Sequence, residues 1–129
     1  MKAAWYERNG TAAEVLTVGE LPDPHPGSGE VRVRLVTSAV NPSDVKSRTG
    51  SARKLMFPRQ VPHSDGAGVI DEVGPGIDPG RIGQRVWTWN AAFERPGGTA
   101  AQWTVVPAAQ AVLLPPQADF TAGACLGIP

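Results

Sequence analysis

The chain has 129 residues, a length typical of one domain, and its 12 basic and 12 acidic residues leave a formal net charge of zero. That balance argues against a general role on nucleic acids or on an anionic membrane surface, and the single cysteine excludes a disulfide within the chain. No apolar run approaches the roughly 18 residues that a membrane helix needs, and the first residues lack the apolar core of a secretory signal. We therefore expect a cytoplasmic protein with no nucleic-acid or membrane partner.

The first elements in chain order are predicted to be short strands separated by turns. Residues 2–7 and 14–21 are typical of an opening hairpin. The chain has 15 Gly and 13 Pro, and these residues are densest at 22–29 and 74–83, which we interpret as the main turns. Glycine and proline therefore punctuate the chain and do not form a low-complexity block.

Segment 30–40 is the clearest strand, because apolar and charged side chains alternate along it. The alternation divides the strand into an apolar and a charged face, with Val31, Val33 and Leu35 against Arg32 and Arg34. Shorter strands are predicted at 84–90, 100–106 and 111–114. Many short strands between turn signals predict a mainly β fold, either a small barrel or a sandwich.

The stretch NPSDVKSRTG, residues 41–50, is predicted to form a short helix with a strongly capped first turn. Asn41 suits the N-cap, Pro42 suits the first helical position, and Asp44 stands where a capping-box carboxylate belongs. Gly50 is expected to end the helix. These residues fit either capping alone or a polar shelf that orients a ligand.

Five segments in chain order resemble motifs of one family, the zinc-independent (zeta-crystallin-like) quinone oxidoreductases of the medium-chain dehydrogenase/reductase superfamily. NPSDVKSRTG resembles that family's Asn-Pro-x-Asp…Arg-x-Gly segment. FPRQVPHSDGAGVIDEVGPGID, residues 57–78, resembles its Phe-Pro…Pro-Gly-x-Asp-x-Ala-Gly-Val-Val…Val-Gly block. Residues 12–44 are similar to the family's N-terminal hairpin and third strand. Residues 81–89 are similar to its Gly-Asp-Arg-Val turn, and residues 97–129 to its proline turn and linker helix. The resemblance covers essentially the whole chain.

The resemblance implies a GroES-like, partly open β-barrel with short helices over residues 1–120. Residues 121–129 would start the linker helix to a Rossmann domain that normally follows and that this chain lacks. In the family that domain binds NADPH, so most of the cofactor site is expected to be absent. Three glycine pairs begin a dinucleotide loop but lack the third glycine at the required spacing. We interpret Gly66 and Gly68 as close packing of a strand and the other two pairs as turns.

Zinc can be tested against the resemblance, because zinc-dependent relatives carry a Cys at the position of Asn41 and a His at the position of Ser64. Both ligand positions differ here. The four-cysteine structural zinc lobe is also missing, since Cys125 is the single cysteine. His63 lies one position from the ligand slot and is interpreted as structural. We therefore predict no metal, and we expect Cys125 to be buried in its apolar segment.

The resemblance implies six site residues: catalytic Asn41, Asp44 and Lys46, and cofactor-binding Pro42, Ser64 and Asp65. Asn41 would donate its amide hydrogen to a quinone oxygen, and Asp44 would fix the helix turn, with capping alone as the alternative. Many relatives carry tyrosines at the positions of Lys46 and Ala52. Lys46 is therefore either a replacement proton donor or a solvated lysine.

The implied function is NADPH-dependent hydride transfer to a quinone or enone without zinc. Two alternatives remain open: an enoyl-thioester reductase of the same superfamily, and a stand-alone GroES-like module that acts in binding or assembly. A positive run from Lys46 to Arg59 would attract an anionic substrate or the cofactor phosphates, or is only a charged surface. The apolar segment 121–129 would favour a homo-oligomer where its partner domain is missing.

Overall fold

The computed structural model describes residues 1–128, which form an open five-stranded antiparallel sheet and a separate two-stranded hairpin. The strands are β1 (Lys2–Trp5), β2 (Thr17–Glu20), β3 (Glu30–Ala39), β4 (Asp65–Val73), β5 (Arg85–Thr88), β6 (Trp103–Pro107) and β7 (Ala111–Leu113). The α-helices are α1 (Ala12–Val15), α2 (Pro42–Thr49) and α3 (Phe120–Gly123), with 3-10 turns at Pro79–Arg81 and Ala108–Gln110. The larger sheet runs in the order β6-β3-β4-β5-β7. This mainly β half-barrel with short helices confirms the predicted fold class.

The opening hairpin is present, but it is shorter than predicted. β1 pairs with β2 so that Lys2 lies opposite Glu20. The strand prediction for residues 14–21 was wrong at its start, because residues 12–15 form α1. Thr11 and Glu14 form a capping box there, with the Thr11 hydroxyl 2.7 Å from Glu14 Oε2. A single capped helical turn thus replaces the first residues of the predicted strand.

The apolar face of β3 forms the centre of the core, as the alternation predicts. Five side chains at this centre are fully buried: Val31, Val33, Ile70, Val86 and Val106. They come from β3 and from three other strands of the sheet, so burial of this face stabilises the half-barrel as one unit.

The charged face of β3 is less exposed to solvent than the alternation predicts, because Arg32 is partly buried. The Arg32 guanidinium lies 5.5 Å from the centre of the Trp103 ring and bonds the Asp71 carboxylate at 2.9 Å. The Trp103 indole N–H donates to the same carboxylate at 2.8 Å. Arg32 therefore holds β6 and β4 together from the outer side of the sheet.

β3 and β4 approach each other closely at Gly68, which confirms the predicted close packing. A Cβ atom at Gly68 would lie 2.1 Å from the backbone oxygen of Arg34. At Gly66 it would lie 2.9 Å from the Leu35 side chain and 3.0 Å from the backbone oxygen of Thr37. These glycines are required because no side chain fits between the two strands.

The helix predicted at 41–50 is α2, and both of its ends are as expected. Asn41 is the N-cap, and its backbone N–H donates to Asp44 Oδ2 at 2.7 Å. Gly50 ends the helix in the left-handed conformation with φ of +82°. The capped end of α2 therefore follows directly from β3 and lies beside the start of β4.

The C-terminal segment differs from the expectation at its cysteine. Cys125 is exposed, so the prediction that it is buried was wrong; it follows the single turn of α3, and only part of this apolar segment turns inward. Across residues 1–128, no helix has the length and apolarity needed to cross a membrane.

Candidate functional site

A cleft of about 340 Å³ lies between the N-terminal half of α2, the loop after it, and the segments around residues 60–64 and 90–94. Its walls combine polar groups with apolar side chains that include Leu55, Met56, Phe57 and Phe93. A second, more open hollow of about 510 Å³ lies elsewhere on the surface. That hollow contains Arg59 and Glu7, which pair with each other at 3.2 Å. The first cleft is the candidate site, because it combines enclosure with unpaired polar groups.

The structure places the six sequence-predicted site residues in two groups. Three of them line the cleft: Asp44, Lys46 and Ser64. The other three lie outside its lining: Asn41, Pro42 and Asp65. Pro42 is exposed at the start of α2. The six residues therefore lie in or next to one cleft, and the structure separates those that face it from those that do not.

Asn41 and Asp65 form a buried pair behind the cleft. Asn41 Nδ2 donates to Asp65 Oδ2 at 2.9 Å, so the amide expected to bind a quinone oxygen already has a partner. The backbone N–H of Ile128 donates to the same oxygen at 3.0 Å. Asp65 is fully buried, and its Oδ1 has no hydrogen-bond partner among the described residues. The pair therefore ties the start of α2 to β4 and to the C-terminal segment that reaches the cleft.

Asp44 links the cap of α2 to the cleft. Burial raises the pKa of its carboxyl group, and the charge of Asp65 adds to this effect. The backbone hydrogen bond from Asn41, the nearby His63 and a backbone contact from Ser64 all oppose the increase. Asp44 thus caps the helix and also lines the cleft with a carboxyl group whose pKa is raised.

His63 lines the cleft together with Asp44, although its position in the sequence, next to the ligand slot, was interpreted as structural. Burial lowers the pKa of its imidazole, and the charge of Asp44 opposes the decrease. Nδ1 lies 3.0 Å from Ser38 Oγ. Burial thus favours the neutral form of both groups, and no salt bridge joins them within residues 1–128.

Tyr6 is a second cleft residue that the sequence did not identify. It is the single tyrosine of the chain, it is 3% exposed, and it lines the cleft. Its backbone is fixed on both sides by Gln60, at 3.0 Å and 2.9 Å. Burial raises the pKa of its phenol, and the charge of Asp44 acts in the same direction. Tyr6 therefore offers a fixed, protonated hydroxyl in a cleft that lacks the tyrosines of many relatives at positions 46 and 52.

The predicted positive run does not act as one patch. Lys46, Arg53 and Lys54 line the cleft, and the Arg53 guanidinium lies 4.7 Å from the centre of the Phe93 ring. Arg48 instead donates to the backbone oxygen of Gly10 at 2.6 Å. Only part of the run therefore contributes positive charge to the cleft.

Comparison with known proteins identifies the family. Residues 27–116 match the alcohol dehydrogenase GroES-like domain. The dehydrogenase orsE of Emericella nidulans is 34% identical over 125 residues, covering 95% of this chain and 35% of the relative. The quinone oxidoreductase of Rattus norvegicus is 35% identical over 107 residues, covering 82% of this chain and 31% of the relative.

A solved structure shares the fold. The mycobacterial protein complexed with NADPH superimposes with a TM-score of 0.82 at 23% identity, covering 96% of this chain and 37% of that one. The chain spans about a third of the length of the relatives it matches. With the family match extending over most of its residues, this chain belongs to the alcohol dehydrogenase GroES-like domain family of the medium-chain dehydrogenase/reductase oxidoreductases.

Proposed function

We propose that this chain is the catalytic-domain portion of a zinc-independent, NADPH-dependent quinone oxidoreductase. The cleft beside the N-terminal half of α2 carries the proposal, because it combines apolar walls with Asp44, Ser64 and Tyr6. A planar acceptor needs apolar surface for its ring and hydrogen-bond donors for its oxygen. The relatives named as quinone oxidoreductases support the choice of acceptor.

The side chains at the two zinc-ligand positions favour hydride transfer without zinc. The positions that carry Cys and His in zinc-dependent relatives hold Asn41 and Ser64, and the Asn41 amide nitrogen donates to Asp65 at 2.9 Å. Zinc sites in proteins are built from Cys, His and carboxylate side chains, and neither asparagine nor serine belongs to that set. Residues 1–128 contain no group of three or more His, Cys, Asp or Glu side chains arranged to hold a metal. A quinone is already a good electron acceptor and needs less polarisation than an alcohol or a ketone.

The apolar walls of the cleft favour the nicotinamide ring of NADPH as its occupant. Met56, Phe57, Phe93 and Ile128 give the cleft apolar surface against which a ring can pack. The three glycine pairs lie in a strand and in turns and not at the start of a helix. When bound, the nicotinamide supplies a hydride. The described residues would orient the acceptor, exclude water and bond its oxygen, and the dinucleotide phosphates would need a further domain.

The test is NADPH oxidation with a simple quinone, measured on this chain and on a protein extended to the length of its relatives. We expect activity only in the extended protein, because hydride transfer requires both halves of the site. Lys2→Gln, an exposed change outside the cleft, serves as the control and should leave kcat/KM unchanged. An extended protein that binds NADPH but reduces no quinone contradicts the proposed acceptor, and one that fails to bind NADPH contradicts the proposed cofactor.

A further inference from the structure

His63 adopts a backbone conformation that normally belongs to glycine. Its φ is +74°, in the left-handed region where an L side chain is strained. The surrounding chain fixes this conformation, since Thr99 N donates to His63 O at 2.9 Å. In the family block that residues 57–78 resemble, Pro-Gly-x-Asp, the same position is a glycine. This chain therefore carries an imidazole at a strained position beside the cleft, and strain of this kind is common at functional sites.

A chain of three hydrogen bonds determines which ring nitrogen of His63 carries the hydrogen. Thr99 Oγ1 donates to the backbone oxygen of Asp65 at 2.7 Å, because a carbonyl oxygen only accepts. The Thr99 hydroxyl hydrogen is then used, so Ser38 is the donor in the 2.8 Å contact between the two hydroxyl groups. Ser38 has no second hydrogen, so His63 Nδ1 is the donor in their 3.0 Å contact. His63 is therefore the Nδ1–H tautomer, with its lone pair on Nε2.

The Nε2 atom of His63 is open to the cleft. His63 lines the cleft, and its ring forms a hydrogen bond through Nδ1. The buried side-chain nitrogen and oxygen atoms without a hydrogen-bond partner among residues 1–128 are Asp65 Oδ1 and Thr104 Oγ1, so Nε2 is not enclosed by protein. Asp44 on α2 is the group whose charge acts on the imidazole. The other titratable side chains that line the same cleft are Tyr6, Lys46, Arg53, Lys54 and Glu94.

We propose that His63 is a catalytic residue of this cleft and that its Nε2 transfers the proton to the substrate oxygen. The proposal rests on the proposed function, which supplies two electrons as a hydride. In the reducing direction the Nε2–H bond of the imidazolium breaks, an O–H bond forms on the substrate oxygen, and the imidazole becomes neutral. The hydride and this proton together convert a quinone to a hydroquinone. Ser38 keeps the ring in position, because Nδ1–H remains bonded to it in both protonation states.

The tautomer can be tested on this chain without any turnover. Nitrogen-15 NMR is suitable because the chain has two histidines, and exposed His25, which contacts Glu72 at 3.0 Å, serves as an internal reference. We expect His63 to show an unprotonated Nε2 at neutral pH. Saturating hydroquinone should shift the His63 Nε2 resonance and leave His25 unchanged. An Nε2–H tautomer at neutral pH, or an unchanged His63 resonance at saturation, would overturn the proposal.

His63→Gly tests the catalytic role in the extended protein. The variant restores the glycine of the family block and relieves the backbone strain, so we expect it to fold with an undiminished Tm. We expect kcat with a quinone to fall about 100-fold, KM to stay within about threefold, and the pH dependence of kcat to disappear. Added imidazole should restore part of the rate, which a purely structural role would not allow. The control His25→Gln should match the wild type.

The outcomes separate this proposal from the proposed function. If the wild type reduces quinones and His63→Gly retains its kcat and its pH profile, the role of His63 is refuted and the function stands. If the wild type oxidises no NADPH with any quinone, the function fails. The NMR result on the tautomer and on hydroquinone contact then decides the position of the proton by itself.

Discussion

Replacing Gly68 with alanine tests whether β3 and β4 are packed as closely as the structure shows. The added Cβ would lie 2.1 Å from Arg34 O and 2.9 Å from both Arg34 C and Leu35 Cα. All three are backbone atoms, so no side chain can move aside. β3 and β4 must therefore separate by roughly 1 Å at this point, because carbon–oxygen contacts this short are strongly repulsive.

The cost can be worked from the pairing around Gly68. It lies opposite Leu35 on β3 and opposite Val86 on β5, in the middle of the sheet. Overpacking costs about 1–3 kcal/mol, and stretching two ladder hydrogen bonds adds about 1 kcal/mol each. We expect the free energy of unfolding to fall by about 3–5 kcal/mol, which corresponds to a decrease in Tm of roughly 10–20 °C.

Urea unfolding followed by tryptophan fluorescence measures this change, since the chain has four tryptophans. Gly97→Ala is the matched control, because a Cβ at Gly97 meets no atom within 4 Å and its φ is not positive. That control should lie between no change and a gain of about 1 kcal/mol. A Gly68→Ala variant that loses less than about 1 kcal/mol would refute the close approach of β3 to β4.

Four further predictions concern the cleft and its support. Tyr6→Phe should leave Tm unchanged but weaken quinone binding about threefold to tenfold in calorimetry, because it removes one hydrogen-bond donor; equal affinity would exclude a contact. The pKa of His63 is lower in the folded chain than its ordinary value of 6.5, so below pH 6.5 the unfolded chain binds a proton that the folded chain does not. The free energy of unfolding should therefore fall on acidification, and His63→Gly should remove this pH dependence in urea titrations. Asp65→Ala should destabilise by about 2 kcal/mol, since it leaves the buried Asn41 amide unpaired, and Asp65→Asn by less. Asp71→Ala should cost about 1–3 kcal/mol in thermal unfolding; a neutral result would mean that the outer face of the sheet adds nothing.

Local patterns predicted most of the fold because their causes are local. The period-two alternation of β3 places Val31 and Val33 on the same face of the strand, opposite Arg32 and Arg34. The Asn41 cap, the Gly50 terminus and the tight Gly68 crossing follow from the same kind of short-range constraint. The Thr11 capping box is equally local, and Glu14 stands three residues after Thr11 as such a box requires.

Residue composition predicted poorly where burial depends on distant segments. Cys125 lies in an apolar run, yet it is exposed, because only one turn of α3 turns its residues toward the sheet. Arg32 lies on the charged face of β3, yet its guanidinium contacts the Trp103 ring and pairs with Asp71, and both partners lie on neighbouring strands. In both cases the environment is set by strands and helices that are far away along the chain.

The sequence by itself determined the β architecture, the capped helix and the region of the candidate site. Only the tertiary structure decided which side chains reach the cleft. It turned the Asn41 amide toward Asp65, and it brought Tyr6 from the first strand region and His63 from the turn before β4 to the same space as Asp44. The physical reason is that capping and strand periodicity act over a few residues. The direction of a polar side chain is set instead by its hydrogen-bond partners, and here those partners lie 24 residues or more away along the chain.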